Sequence, residues 1–140
     1  MPEHESFAFS LGHTWSLDFT VSQADQALFA ALSGDRNPLH LDAQAAARAG
    51  LSGPVVYGAL LIAKLSSIIG MHIPGSSGLW SGLQIDFRRP LYVGQPATIE
   101  VELIQISAAT RSVVLKVSVR SEGKRLATGK ALATLFSPLD

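Results

Sequence analysis

An aspartate and a histidine, Asp35 and His40, lie five positions apart in the short segment of residues 33–40. The histidine ring titrates near neutral pH, so it can take a proton from water and return it. A carboxylate beside it can bind the same water or orient the ring. These two residue types in one short segment indicate general acid/base chemistry on a water molecule.

The residues between the two candidates favour a stiff turn. Pro38 fixes its own φ angle and restricts Asn37, while Gly34 tolerates backbone angles that other residues avoid. A stiff turn would hold an acid/base pair in one geometry. Asp, Asn and Pro are also common in ordinary turns, and Asp35 could simply accept hydrogen bonds from nearby backbone amides. Both interpretations are open at this point.

A helix is predicted directly before this turn, over residues 22–32. Ser22 can serve as its N-cap, and Asp25 follows three positions later, as in a capping box. Gly34 suits the end of the helix. Three apolar residues share one helical face: Leu28, Phe29 and Leu32.

Two more helices are predicted after the turn. An alanine-rich stretch predicts a short helix over residues 42–48, and an apolar run predicts a longer one over residues 54–69, with Pro54 in its first turn. The longer helix is apolar on nearly all sides, which is typical of a buried helix. Its length and Lys64 argue against a membrane span, and the lysine stem can pack while its ammonium reaches solvent.

Alternating hydrophobicity follows the loop at residues 73–78 and predicts β-strands. The strands centre on residues 83–87, 97–103, 113–120 and 127–135, and a further strand-like segment, residues 15–19, precedes the first helix. Tight turns join strands with one polar face, so we expect an antiparallel sheet. The pattern predicts an α+β protein in which this sheet wraps around or lies across the long helix.

Composition limits the classes of function. The 140 residues suit one domain, and 11 basic residues against 11 acidic ones favour neither nucleic acid nor anionic membrane as a partner. The chain has no cysteine, which excludes disulfides and thiolate chemistry, and no spacing of ligands suggests a metal site. Residues 1–11 are expected to form a loose leader without a secretory signal, so a cytoplasmic protein is predicted. His4, His13 and His72 are expected at the surface.

Three segments carry a resemblance to a known family: LSGDRNPLHLD at residues 32–42, GPVVYGALL at 53–61 and FRRPLYVG at 87–94. Through them the chain is similar to the MaoC-like hydratase/dehydratase family, and within it to the (R)-specific enoyl-CoA hydratases. The similarity extends from about residue 12 to the C-terminus. It implies a single hotdog domain over residues 1–140, with a long central helix wrapped by an antiparallel sheet, and a homodimer.

The resemblance also implies a reaction and a site. The family adds water across the 2,3 double bond of an enoyl thioester, or removes it again, and needs no cofactor beyond the coenzyme A or carrier protein of the substrate. By resemblance, Asp35 and His40 hold the water, the Gly58 amide binds the thioester oxygen, and Ser66 lies near the pair. Tyr57 and Ser66 are counted with Gly58 among the expected substrate-binding residues. Gly58 could instead serve close packing, and Ser66 could bond back to its own helix.

Two departures from the family pattern leave other functions open. Tyr57 stands where these enzymes commonly have histidine, which removes an imidazole and could reshape the acyl pocket, and Lys64 could meet a polar acyl chain. The alternatives are thioester hydrolysis, an acyl-thioester binding or partner subunit without turnover, and a pathway-specific dehydratase acting on a carrier-protein-tethered substrate. Cations near the site would suit coenzyme A phosphates, but alternation points Arg88 and Arg89 to opposite faces, so at most one is expected to help.

Overall fold

The computed structural model describes residues 9–136, in which a five-stranded antiparallel sheet packs against one long helix. The strands in chain order are β1 (Thr14–Phe19), β2 (Gly78–Phe87), β3 (Ala97–Ser107), β4 (Ser112–Ser121) and β5 (Lys124–Leu135). They lie side by side in the order β1-β3-β4-β5-β2, so β1 and β2 are edge strands. The helices are α1 (Gln23–Ser33), α2 (Pro38–Leu41), α3 (Ala43–Arg48) and α4 (Gly58–Met71). The predicted α+β class is confirmed.

The core lies between α4 and the inner face of the sheet. Five residues of α4 are buried: Leu60, Leu61, Leu65, Ile68 and Ile69. Leu65, Ile68 and Ile69 pack in one cluster with alternating apolar residues of β3, β4 and β5, such as Ile99, Leu115 and Ala131. Leu60 and Leu61 lie in a second cluster that includes Ala97 and Leu126. Each fully buried aliphatic side chain of this size contributes about 1.5–3 kcal/mol to folding. The predicted buried helix is therefore confirmed, although its opposite side is exposed.

The start of α4 differs from the sequence prediction. The helix begins at Gly58, whereas the apolar pattern predicted a start at residue 54. Residues 54–56 are extended instead, because Val56 N–H donates to the Leu91 carbonyl and Val93 N–H donates to the Pro54 carbonyl. A run of apolar residues does not distinguish a buried extended segment from a helix, and pairing with a distant segment decided the outcome.

The two ends of α1 are as the sequence predicts, but the side of the helix that is buried is not. Ser22 and Asp25 form the reciprocal capping box at 2.9 and 3.1 Å, and Gly34 ends the helix with φ 80°. The apolar face turns largely to solvent, since Leu28 and Leu32 are 70% and 85% exposed. The buried residues of α1 are Gln26 and Ala30. This side is selected by the packing of Ala30 in the cluster that includes Val56 and Tyr57 and by the hydrogen bonds of Gln26 to residues 40, 55 and 57.

Some predictions concern the surface and the ends of the chain. His13 and His72 are exposed, as expected. His4 and most of the predicted leader lie outside the described residues, while Phe9 packs against the core. Within residues 9–136, the helices are all too short or too polar to cross a membrane.

Candidate active site

Asp35 lies in the connection between α1 and α2, in a segment held by short-range hydrogen bonds. Its N–H donates to Ser33 Oγ at 3.1 Å, and its Oδ1 accepts from Asn37 N–H at 3.1 Å. Its other carboxylate oxygen, Oδ2, receives no hydrogen bond from residues 9–136, and the residue is exposed. One oxygen therefore stiffens the turn, and the second can bind a water molecule.

His40 lies on α2, so part of the predicted turn is helical. Its Nδ1 lies 2.6 Å from the Val55 carbonyl oxygen. Because a carbonyl can only accept, Nδ1 carries the hydrogen, and the neutral ring presents an unprotonated Nε2. The ring is half-buried, so Nε2 can face a bound molecule as a base or an acceptor.

Tyr57 contacts both members of the pair. Its hydroxyl donates to the Asp35 carbonyl at 2.5 Å, and its ring stacks on His40 with centroids 4.0 Å apart and an interplanar angle of 27°. A third contact is with Phe29 of α1, at 4.7 Å between ring centroids. Tyr57 is 2% exposed, so it forms a rigid support beneath the turn.

Tyr57→Phe should lower the free energy of unfolding at neutral pH. In the alkaline range, the free energy of unfolding of the variant should also change less with pH than that of the unaltered protein. Burial raises the pKa of the Tyr57 phenol, and the Asp35 charge raises it further. The folded state then keeps a proton that the unfolded state releases, so this contribution is complete below the unfolded pKa of about 10 and is lost above it. Urea titrations between pH 8 and about 11 measure it. An equal slope of unfolding free energy against pH in the variant and the unaltered protein would contradict the prediction. Tyr92→Phe is the control and should keep the slope of the unaltered protein.

Gln26 is a site residue that the sequence analysis missed. Its amide nitrogen donates to the carbonyls of His40 and Val55, each at 2.9 Å, and its Oε1 accepts from Tyr57 N–H at 3.3 Å. The side chain is completely buried. Gln26 thus joins α1 to both backbone segments that hold the His40 ring. In the sequence, Gln26 is marked only by the alanine four positions after it in the same predicted helix. This pattern is too common to identify a site residue.

Gly58 is the first residue of α4, so its N–H has no partner within the helix. The N-cap residue of this helix also forms no side-chain hydrogen bond to its first turn. The N-terminal end of a helix carries a positive partial charge and suits an oxygen with negative charge. A Cβ at Gly58 would lie 3.1 Å from Cζ of Phe87, so the glycine also keeps the approach to this N–H open.

His40 and Gly58 line one cleft of about 330 Å³, with Leu61 and Phe87 among its apolar residues. Asp35 does not itself line the cleft. It is linked to His40 by Tyr57, which donates to the Asp35 carbonyl and stacks on the His40 ring. Ser66 lies on an exposed part of α4, outside the lining residues.

Lys64 also lies away from the His40 cleft. It lines a separate groove between α1 and α4, of about 480 Å³, together with Asp25 and Leu28. Its half-buried side chain is consistent with the expected packing of its stem. Within a single chain, Lys64 is therefore not among the described residues that line the His40 cleft.

Arg88 and Arg89 are both among the residues that line the His40 cleft. β2 ends at Phe87, and the N–H groups of both arginines donate to the Leu126 carbonyl. Arg88 also donates from Nε to Thr128 Oγ1 at 3.1 Å. The Arg88 side chain is thus directed to Thr128, which does not line the His40 cleft, and the expectation that at most one of the two arginines helps at the site stays a prediction.

Comparisons with known proteins identify the family of this chain. A family model described as the MaoC-like domain matches residues 12–124. An (R)-specific enoyl-CoA hydratase from Aeromonas caviae is 34% identical over 129 residues, which are 91% of this chain and 96% of that protein. A 3-hydroxybutyryl-CoA dehydratase from Methylorubrum extorquens is 27% identical, over 87% of this chain and 78% of its own length.

Solved structures give the same result. The (R)-hydratase from A. caviae superposes with a TM-score of 0.88 at 32% identity, covering 92% of this chain and 98% of that one. The R-hydratase from Pseudomonas aeruginosa gives 0.85 at 30% identity, covering 92% and 84%. The predicted hotdog fold is confirmed by these neighbours.

Proposed function

This chain belongs to the MaoC-like hydratase/dehydratase family, and we propose that it adds water across the 2,3 double bond of an enoyl-CoA, forming the (R)-3-hydroxyacyl product, with Asp35 and His40 as catalytic residues. Removal of water is the reverse of the same reaction, so the chain is a hydro-lyase in either direction. The resemblance stated for the segments around residues 35, 58 and 88 and the similarity to the named hydratases both support this proposal.

The reaction uses one water molecule, bound between Asp35 Oδ2 and His40 Nε2. The water oxygen forms a bond to the β-carbon while one of its protons passes to His40 and the electron pair of the double bond moves toward the thioester oxygen. His40 then returns that proton to the α-carbon, which completes the addition. Negative charge develops on the thioester oxygen between these events. The free N–H of Gly58 would donate to that oxygen, where a preorganised donor stabilises the transition state.

One observation carries the proposal: the His40 ring and the N-terminal end of α4 share a cleft, and Tyr57 ties that ring to the Asp35 backbone. The hydrogen bond from His40 to Val55 leaves the nitrogen on the other side of the ring as the base. Hydration of the double bond of an enoyl thioester requires general acid/base groups with one fixed tautomer and a donor for the developing oxyanion.

Loss of enoyl absorbance tests the proposal directly. Purified protein is mixed with crotonyl-CoA and with a longer 2-enoyl-CoA, and free thiol is assayed in the same samples. Hydration should remove the absorbance without releasing thiol. Thiol release would favour thioester hydrolysis instead, and binding without turnover would favour a non-catalytic subunit. Turnover of a carrier-protein thioester but of neither CoA ester would identify the tethered-substrate dehydratase.

Gly58→Ala should lower kcat/KM by about tenfold with little change in stability. The added Cβ meets the ring of Phe87, which is 49% exposed and can turn, so the fold tolerates it while the approach to the amide narrows. Gly70→Ala in the same helix is the matched control, because a Cβ there meets nothing within 4 Å. Equal kcat/KM values for the two variants would argue for a packing role of Gly58.

A homodimer is part of the proposal. β2 is an edge strand, and Leu79 and Phe87 on it are exposed although apolar. Because Phe87 also lines the His40 cleft, a second copy paired along β2 would lie beside the site. Sedimentation of the purified protein checks this, and a monomer under assay conditions would contradict it. The assignments of Tyr57 and Ser66 to substrate binding, and of the chain to the cytoplasm, stay predictions.

A further inference from the structure

A single hydrogen bond connects the turn that carries Asp35 to a distant part of the chain. Residues 33–38 are exposed, and their other hydrogen bonds have partners no more than four positions away, such as the bonds from Asp35 to Ser33 and Asn37. Within residues 9–136, the exception is the bond from the Tyr57 hydroxyl to the Asp35 carbonyl, 22 positions along the chain. This hydrogen bond therefore attaches the turn to the body of the fold.

His40 is attached to the same short segment, residues 55–57. Its Nδ1 bonds to the Val55 carbonyl, and its ring stacks on the ring of Tyr57. The carboxylate and the imidazole are thus held separately, one through the hydroxyl of Tyr57 and the other through its ring and through Val55. The position of the Tyr57 side chain therefore fixes where Asp35 lies relative to His40.

Tyr57 is itself held in place by the core. Its side chain is buried, its ring contacts Phe29, and its N–H donates to Gln26. Burial raises the pKa of the phenol, so the hydroxyl keeps the proton that it donates to the Asp35 carbonyl. Tyr57 is not among the residues that line the His40 cleft. Its influence on the reaction therefore passes through Asp35 and His40.

We propose that Tyr57 is a positioning residue that sets the distance between the Asp35 carboxylate and the His40 ring, an inference that rests on the proposed function. One water molecule can contact Asp35 Oδ2 and His40 Nε2 together only while this distance is kept. Without the hydroxyl, the exposed turn keeps its short-range hydrogen bonds but loses its attachment to residue 57. A misplacement of about 1 Å can cost up to about a hundredfold in rate.

The kinetics of Tyr57→Phe test the proposal, because this variant removes the hydroxyl and keeps the ring that stacks on His40. The kcat for crotonyl-CoA should fall by about tenfold, since the turn then holds the water in the correct place for less of the time. The KM should stay within about twofold, because the residues that line the cleft are unchanged. Tyr92→Phe makes the same change outside the cleft and should keep both constants. Assays well below the melting temperature of each protein exclude an effect of unfolding.

Backbone NMR relaxation measures the attachment of the turn without any catalysis. The amide order parameters of residues 35–37 should fall from about 0.85 in the unaltered protein toward about 0.6 in Tyr57→Phe. Those of α4 should not change, which separates a loosened turn from a general loss of packing. If the unaltered protein fails to hydrate crotonyl-CoA while these order parameters still fall in the variant, the proposed function fails and the positioning of Asp35 by Tyr57 stands.

Three results would overturn the positioning role. The first is a folded Tyr57→Phe protein whose kcat is within about twofold of that of the unaltered protein. A second is a rise in KM with an unchanged kcat, which would assign Tyr57 to substrate binding. The third is a set of order parameters for residues 35–37 that does not differ between the variant and the unaltered protein, because the hydroxyl would then not hold the turn.

Discussion

His40→Ala and Asp35→Asn are each expected to lower kcat for crotonyl-CoA by about a thousandfold or more, while the protein stays folded. His40→Ala removes the base at Nε2. Asp35→Asn keeps the size of the side chain and the acceptor for Asn37 N–H but removes the negative charge that is proposed to hold the water. Neither side chain lies in the hydrophobic core, so the loss falls on catalysis. Stopped or steady-state absorbance assays measure kcat, and thermal melting checks the fold.

Two matched variants control for these substitutions. Asp42→Asn makes the same chemical change seven positions further on, at the N-cap of α3, where asparagine caps as well as aspartate. His72→Ala removes an exposed histidine at the end of α4. Both should keep full activity. A folded Asp35→Asn or His40→Ala protein that retains kcat within about tenfold would refute the assignment of that residue.

Gln26→Met should lower both stability and turnover, with a smaller effect on KM. Methionine fills similar space but leaves the Tyr57 N–H and the His40 carbonyl without their hydrogen bonds, which costs about 2–4 kcal/mol in free energy of unfolding. Without this link, the segments that fix the His40 ring loosen, and kcat should fall by about tenfold or more. Urea unfolding and steady-state kinetics well below the melting temperature measure the two effects.

The kinetic pattern distinguishes a positioning role from simple destabilisation. Gln23→Met, on the exposed first turn of α1, is the control and should change neither quantity. Gln26→Glu should be worse than Gln26→Met, because a carboxylate would face the two carbonyls that now accept from the amide. If Gln26→Met loses stability but keeps kcat, Gln26 is a packing residue only.

Local features of the chain were determined by the sequence itself. The capping box of Ser22 and Asp25, the glycine end of α1 and the stiff turn that carries Asp35 depend on interactions within a few residues. The alternating strands are likewise a local signal, because side chains on one face must be apolar wherever that face is buried. Asp35 and His40 could therefore be selected as candidates before any tertiary contact was known.

Contacts between distant segments were decided only by the tertiary structure. The helical start at Gly58 depends on pairing of residues 54–56 with residues 91–93, and the buried side of α1 depends on what packs beneath it. Gln26 bonds to partners 14 to 31 positions away, and Arg88 bonds to a threonine 40 positions away. The periodicity of apolar residues predicts which residues are buried. It does not identify which polar groups of distant segments form hydrogen bonds with each other. Asp35 and His40 are thus candidates that the sequence itself supplies, and the geometry around them is a property of the fold.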